Sequence, residues 1–243
     1  MTDKAWQKAL LDKYYRSQAG WTDGTLQFHT LCRRFICRNY RVLEVGPGLR
    51  NRTSAFLSKI SRLLVGLDID EAVKENRSLS LACIYDGCAF PFDDASFDVV
   101  VSDYVMEHLK EPLLLCQEIN RVLVPGGIFL FRTPNIFHYT TILGRFLPQL
   151  LSNWSRNLPR DAPRPHKVFY RLNSARKCRR LLARAGFRIK RMILIEKEPS
   201  YGMRSRLLFF PMFAYERLVN SSRLFCHFRA NILCAAKKLQ TLV

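Results

Sequence analysis

The chain has 243 residues, 48% hydrophobic and 24% charged, which is long enough to bury one full core. It carries no apolar run near the ~20 residues of a bilayer span, so it is not expected to cross a membrane. The net charge of +19 is uneven: residues 1 to 144 hold 17 Lys+Arg against 16 Asp+Glu, whereas residues 145 to 243 hold 22 against 4. Such asymmetry points to an anionic partner, nucleic acid or an anionic membrane surface, with a merely solvated basic face as the bland alternative.

In chain order, residues 5 to 40 read as helical, with Leu31, Cys32, Phe35 and Ile36 on one apolar stripe that suits a sheet. RVLEVGPG follows: Val42 to Val45 reads as a strand, then Gly46 and Gly48 stand in a turn where backbone must approach a ligand closely, and a helix begins near Asn51. LLVGLDID is a second buried strand ending in Asp68. YDGCAFPFDDASFDVVVSDYVMEHL holds Asp86 in a loop and a strand from Phe97 to Ser102, and EINRVLVPGGIFLFRTPN reads as helix, turn and a strand over Ile128 to Arg132. Residues 42 to 135 thus read as five strand-and-helix units.

Residues 136 to 172, rich in proline and arginine, are too long for an ordinary connection and form a candidate substrate-binding insertion. Helix resumes after Ser174 as N-cap, with Cys178, Leu181 and Leu182 on one face, Arg176, Arg179 and Arg180 on the other, and Gly186 as its stop. Phe187 to Ile195 alternates as a strand. Residues 197 to 228 are a second insertion, in which arginines flank the apolar run Leu207 to Tyr215 and Pro211 is expected to kink or interrupt any helix. A last strand is expected over Ala230 to Ala236. The whole chain reads as one α/β domain: a doubly wound, Rossmann-like, seven-stranded sheet, with helical insertions before and after the late αβ unit and cap helices over 1 to 40.

Free backbone N–H groups at a glycine turn, and a carboxylate about 20 residues on at the tip of the next strand, suit a nucleoside-type ligand whose ribose hydroxyls that carboxylate accepts. On these motifs the chain resembles a class I S-adenosylmethionine (SAM) dependent methyltransferase of the type 11 group. Within it the chain is similar to the enzymes that methylate ubiquinone and menaquinone precursors. The motifs cover roughly residues 40 to 135, and more weakly residues 166 to 196, where HKVFYRLNSARKCRRLLARAGFRI resembles the group's late helix and sixth strand. The resemblance implies SAM as cofactor: Glu44, Gly46 and Gly48 along its methionine side, Asp68 on the ribose, Ile69 against adenine, Asp86 with Gly87 or Cys88 at the adenine edge, and Ser102 under the sulfonium. It also implies that residues 1 to 40 cap the cofactor, where Trp6, Tyr14, Tyr15 and Trp21 could close over it or simply pack. Arg50 stands where the group often has a third glycine, and a large side chain there is expected to narrow the loop.

Methyl transfer needs an in-line approach in a dry pocket, and an oxygen or carbon nucleophile usually needs a base as well. His108 is the first candidate base, with a structural role for Glu107 and His108 as its alternative; His166 is the second, and His138 with Tyr139 the third. Amino-methylating nucleic-acid enzymes generally carry an N-P-P-Y-like turn where this chain has SDYV, and it has no Pro-Cys pair for cytosine chemistry, so nucleic acid ranks behind other acceptors. The eight cysteines form no C-x-x-C pair, so no metal site is expected, and a reduced cytosolic setting is. MTDKAWQKALLDKYY is no charged-then-apolar leader, so secretion is not expected. The expected function is methylation of a small or lipid-linked acceptor, at oxygen, by an enzyme peripheral to the inner face of an anionic membrane. The alternatives are an RNA methyltransferase that uses the basic C-terminal region, and a non-catalytic SAM-fold binding module.

Overall fold

The computed structural model describes residues 4–17, 21–146, 167–196, 198–199 and 205–240. Its strands are β1 (Arg41–Val45), β2 (Leu63–Asp68), β3 (Leu81–Ile84), β4 (Phe97–Asp103), β5 (Leu123–Pro134), β6 (Phe187–Ile195) and β7 (Asn231–Lys238), which form one sheet in the order β3-β2-β1-β4-β5-β7-β6. The strands from β3 to β5 are parallel, and β7 runs antiparallel between β5 and β6. The expected doubly wound sheet is therefore present, and the carboxyl ends of β1, β2, β4 and β5 open on one edge, where such sheets take ligands.

Strand alternation divides the core into two layers. Leu43, Val45, Val100, Phe129 and Phe131 face α4 (Pro112–Val122) and α6 (Ala175–Arg184), while Val42, Val99, Val101 and Leu130 face α2 (Gly24–Arg33) and α3 (Arg52–Ile60). The stripe Leu31, Cys32, Phe35 and Ile36 lies in that second layer as expected. By the same alternation Arg132, two residues beyond Leu130, emerges on the α2 side at the ligand edge.

Local signals set the element ends. Asn51 caps α3 by accepting from Ser54 N at 2.6 Å, Ser174 caps α6 through Lys177 N at 3.3 Å, and Gly186 follows α6 with φ +78°. Not every strand is followed by a helix. The link from β2 to β3 carries only the short 3-10 turn Glu71–Glu75, and the one from β3 to β4, broken by Gly87 and Pro91, carries no helix.

Of the two insertions, the second carries a further correction. After α5 (Tyr139–Phe146) the first insertion lies largely outside the described residues, and His166 and Trp154 with it. In the second, α7 (Arg206–Ser221) runs through Pro211 without interruption. The carbonyl that Pro211 leaves without its helical donor belongs to Leu207, a residue 86% exposed in the first turn of the helix.

Candidate active site

The turn after β1 is shaped for a close ligand. Gly46 (φ +74°) and Gly48 (φ +58°) hold a left-handed backbone; a side chain on Gly46 would collide with Val105, while the space before Gly48 is open. Asp68, at the tip of β2, ties this loop: its Oδ2 accepts from Gly48 N at 2.8 Å and its Oδ1 from Asp70 N at 3.1 Å. Each oxygen has a lone pair left for a ligand hydroxyl. Arg50, expected to narrow the loop, is instead exposed and lines neither cleft beside it.

Two clefts flank Asp68. One, of about 390 Å³, runs over the glycine turn between Thr25, Asn51, Thr53, Asp103 and Arg132. The other, of about 850 Å³, runs over Ile69, Gly87, Cys88, Val105, Leu109 and His108, more apolar and sized for a nucleoside. Together they suit a ligand with a charged amino-acid end and a flat heterocyclic end.

The other sequence candidates fall as follows. Ile69 is 56% exposed and stands open to the apolar cleft, as its expected adenine contact requires. Asp86 stands outside that lining and spends Oδ1 on Cys88 N at 2.8 Å, so it shapes the turn that presents Gly87 and Cys88. Glu44 and Ser102 lie beneath the floor. The Glu44 carboxyl is buried, accepts from Asn51 Nδ2 at 3.3 Å, and is pushed up to about 7 by burial, against hydrogen bonds from Ser54 and Asn51. Ser102, registered between Val45 and Phe131, is wholly buried, and its Oγ has no partner among the described residues.

His108 opens on the large cleft, with Nδ1 3.0 Å from the Lys167 carbonyl. Glu107 is structural: buried, it accepts from Thr133 Oγ1 at 3.0 Å while its carbonyl receives Phe169 and Tyr170 N–H. The aromatic residues of the N-terminal segment do not roof the cofactor clefts. Tyr14 packs on Phe209 and Phe213, Tyr15 donates to Glu216 at 3.2 Å and packs on Trp21, and Trp6 lies under Arg206.

The strongest feature escaped the sequence motifs. Tyr104, just past β4, has φ +60° and lines both cofactor clefts and a third of about 180 Å³. A non-glycine residue in this conformation costs about 1–2 kcal/mol, so its neighbours must hold it there. They do: Tyr104 N donates to the Arg132 carbonyl, its hydroxyl donates to Asn231 Oδ1 at 3.0 Å, and the Arg132 guanidinium lies 4.5 Å over its ring. Arg132 in turn grips Asp103 with two bonds of 2.7 Å and reaches Thr25 at 3.1 Å. The motif SDYV signals this site only by position, since nothing in it announces the strained turn.

The third cleft lies over the carboxyl ends of β4, β5 and β6, with α7 as its roof. In it His138, the third candidate base, stands with Nδ1 2.7 Å from Thr140 Oγ1 and Nε2 3.4 Å from Glu196 Oε2. Both side chains are buried. Burial pushes the hydroxyls of Tyr104 and Tyr215, which also line the cleft, up to about 12, so both keep their protons near neutrality.

Residues 43–131, which supply most of the lining of both clefts beside Asp68, match a methyltransferase domain family of type 11. A probable S-adenosylmethionine-dependent methyltransferase of Mycolicibacterium smegmatis is 38% identical over 103 residues, 41% of this chain and 40% of that protein. An uncharacterized methyltransferase of Mycolicibacterium gilvum is 35% identical over 115 residues, 45% of this chain and 42% of that protein. The chain thus spans about two fifths of the length of these curated relatives. Among solved structures, a SAM-dependent methyltransferase of Mesorhizobium loti superposes with TM-score 0.55 at 14% identity, over 86% of this chain and 96% of its own. The [4+2]-cyclase SpnF does so with TM-score 0.59 at 18% identity, over 92% and 85%, so the fold alone does not fix the reaction. The matched segment is a methyltransferase domain by that family model, and the relatives and structural neighbours named above include SAM-dependent methyltransferases. The site suits such a cofactor: the glycine turn admits backbone approach, Asp68 lines both clefts with acceptor capacity to spare, and Ile69 with Gly87 and Cys88 offers an apolar slot.

Proposed function

We propose that the protein transfers a methyl group from SAM to a hydroxyl oxygen of a small or lipid-linked acceptor held in the third cleft, with His138 as base. The observation that carries this reading is Tyr104: one residue is wall to the cofactor clefts and to the cleft that holds the buried His138–Glu196 pair. SAM supplies an electrophilic methyl on a positively charged sulfur. In the transfer an acceptor oxygen–methyl bond forms, the methyl–sulfur bond breaks with its electron pair left on sulfur, and the hydroxyl proton must leave. His138 Nδ1 takes it by way of the Thr140 hydroxyl, and Glu196 stabilises the imidazolium that results.

The outer face of α7 supports a location on an anionic membrane. Leu207, Phe210, Ala214 and Leu218 are exposed along one stripe of the helix, with Leu224 nearby, and the exposed Arg206, Arg217 and Arg223 flank them. The inner face of the same helix supplies Met212, Tyr215 and Glu216 to the acceptor cleft. An acceptor anchored in lipid could thus reach the cleft from the surface on which α7 rests.

The test is transfer of labelled methyl from SAM into fractionated lipid and RNA extracts of the source cell, with wild type, His138→Gln, Thr140→Val and His108→Gln. Label in a lipid or small-molecule fraction is expected, reduced ~100-fold or more by His138→Gln with SAM affinity intact. Label in RNA, or full turnover in His138→Gln with loss in His108→Gln, would overturn the acceptor or the base respectively.

A further inference from the structure

From Ala175 to Ile195, across α6 and β6, the chain carries eight Lys+Arg and no Asp or Glu, and all eight are exposed. None of them makes an ion pair among the described residues. Outside the described ranges only Asp3 and Asp161 are acidic, too few to neutralise them. A solvated helix face mixes the signs of its charges. Here Arg176, Arg180 and Arg184 recur every fourth residue, about 6 Å apart along α6, and repel one another. Arg176 and Lys177 also stand in the first turn, where the helix dipole disfavours cations.

The opposite face of the sheet repeats the pattern. The bulge between Ile189 and Arg191 turns both Arg188 and Arg191 toward the α2 layer: Arg191 lies opposite Ala235 of that layer, and Arg188 opposite Lys237, whose partner in β5 is Ile128. Arg188 and Lys237 are thus a like-charge pair directly across two strands, which is again unfavourable. Arg191 shares with Arg34, just past α2, a hollow of about 200 Å³ floored by Leu31, Ile193 and Leu233.

Basic side chains on the end strand of a sheet hinder its pairing with another chain. That accounts for Lys190 and Arg191, but for neither the row on α6 nor Arg34. Repulsion at several points around one edge is relieved together by an anion that reaches all of them. The α6 row and the Arg34–Arg191 pair face away from the sheet on opposite sides, so one flat lipid surface cannot seat both, and neither α6 nor β6 exposes a large apolar side chain to enter it. A flexible polyphosphate strand can cross the edge and touch both.

We infer that the β6 edge is a binding surface for single-stranded nucleic acid, whose phosphates meet the α6 row on one face and Arg34, Arg188 and Arg191 on the other. None of these residues lines the three clefts described above, so a strand bound here is a partner and not the methyl acceptor.

The experiment is fluorescence anisotropy of a labelled oligouridylate of about 20 nucleotides titrated with the full chain. Binding is expected at about 50 mM salt and should weaken with a log–log slope of about −0.7 for each phosphate contacted. Arg176→Glu with Arg180→Glu and Arg184→Glu should lower the affinity roughly 10-fold or more, and Arg34→Ser with Arg191→Ser roughly 3-fold or more, each with a shallower slope. Both variants relieve like-charge contacts, so their melting temperatures should stay at or above wild type, with affinity for S-adenosylhomocysteine unchanged. An unchanged anisotropy with wild type, or wild-type binding by both variants, would overturn the proposal. Loss in the α6 variant alone would overturn the two-sided path. If wild type ignored the oligonucleotide but sedimented with phosphatidylglycerol vesicles through these arginines, the edge would be a lipid surface instead. No readout here uses turnover, so the outcome is independent of the methyl-transfer assay.

Discussion

Tyr104 and Asn231 join hydroxyl to amide oxygen at 3.0 Å, and this bond ties the end of β4 to the start of β7 where cofactor and acceptor clefts meet. Its loss should affect alignment more than cofactor affinity. Tyr104→Phe keeps the ring and its contact with Arg132 but gives up a hydrogen bond of about 0.5–1.5 kcal/mol. Turnover should fall roughly 2- to 10-fold with the SAM dissociation constant nearly unchanged. A purely structural bond would instead lower the melting temperature and leave kcat alone, so the two measurements together decide its role.

Asp68 is the proposed ribose anchor. Asp68→Asn keeps one acceptor oxygen for the glycine loop and removes the charge that strengthens both ribose bonds, each worth about 1.5–3 kcal/mol. Calorimetric titration with S-adenosylhomocysteine should show affinity lowered at least ~10-fold, with an unchanged far-ultraviolet dichroism spectrum. An unaltered dissociation constant would remove Asp68 from the cofactor site.

Glu44 ties stability to pH. Its carboxyl is pushed up to about 7 from an ordinary 4.5 by burial, so below about pH 4.5 it is protonated in folded and unfolded chains alike and costs nothing. As the pH rises from about 4.5 to 7 the unfolded chain ionises while the folded one resists, and stability falls by up to about 3 kcal/mol. His29, held down at about 4 chiefly by burial, acts the other way between about pH 4 and 6.5, and Glu107, raised to about 7 by burial, acts with Glu44. The informative quantity is therefore a difference: Glu44→Gln should gain on wild type in melting temperature as pH goes from 5 to 8. Parallel curves would mean that Glu44 is no harder to ionise in the folded chain than in the unfolded one.

What was legible in the chain follows from what is local. The strands around Val42, Val65 and Val99 are buried on both faces and read as continuous apolar runs; Gly46, Gly48 and Asp68 follow them at intervals that only backbone geometry need set. Asn51 and Ser174 announce helices through their own side chains. The acceptor cleft is different in kind. His138 follows β5, its partner Glu196 ends β6, and Asn231 begins β7, which inserts between those two strands in reverse direction. No local pattern pairs them. The short β3 and the helix-free links beside it were obscured because Gly87 and Pro91 break the spacing from which a repeated unit would be read. In the run from Leu207 to Tyr215, all apolar in sequence, helical periodicity turns Phe209 and Phe213 inward onto Tyr14 and leaves Leu207 and Phe210 outside.

That division defines the membrane test. Phe209 is fully buried, so changing it would damage the fold and report nothing about lipid. The residues to change are Leu207, Phe210 and Leu218, which are 86%, 51% and 50% exposed. Removing their apolar surface from water at a bilayer would contribute roughly 1.5–3 kcal/mol per fully buried side chain, and each basic residue near an anionic surface adds about 1 kcal/mol. No helix among the described residues is long and apolar enough to cross the bilayer, so attachment through α7 would be interfacial and reversible. In sedimentation with vesicles of phosphatidylglycerol and phosphatidylcholine, wild type should pellet at low salt and be released at high salt. The triple serine variant, and Arg206→Glu with Arg223→Glu, should each stay in the supernatant with melting temperatures near wild type. If wild type remained in the supernatant with anionic and neutral vesicles alike, this face of α7 would not be a membrane surface; a salt-independent pellet abolished by the serine variant would assign it to apolar contact without charge recognition.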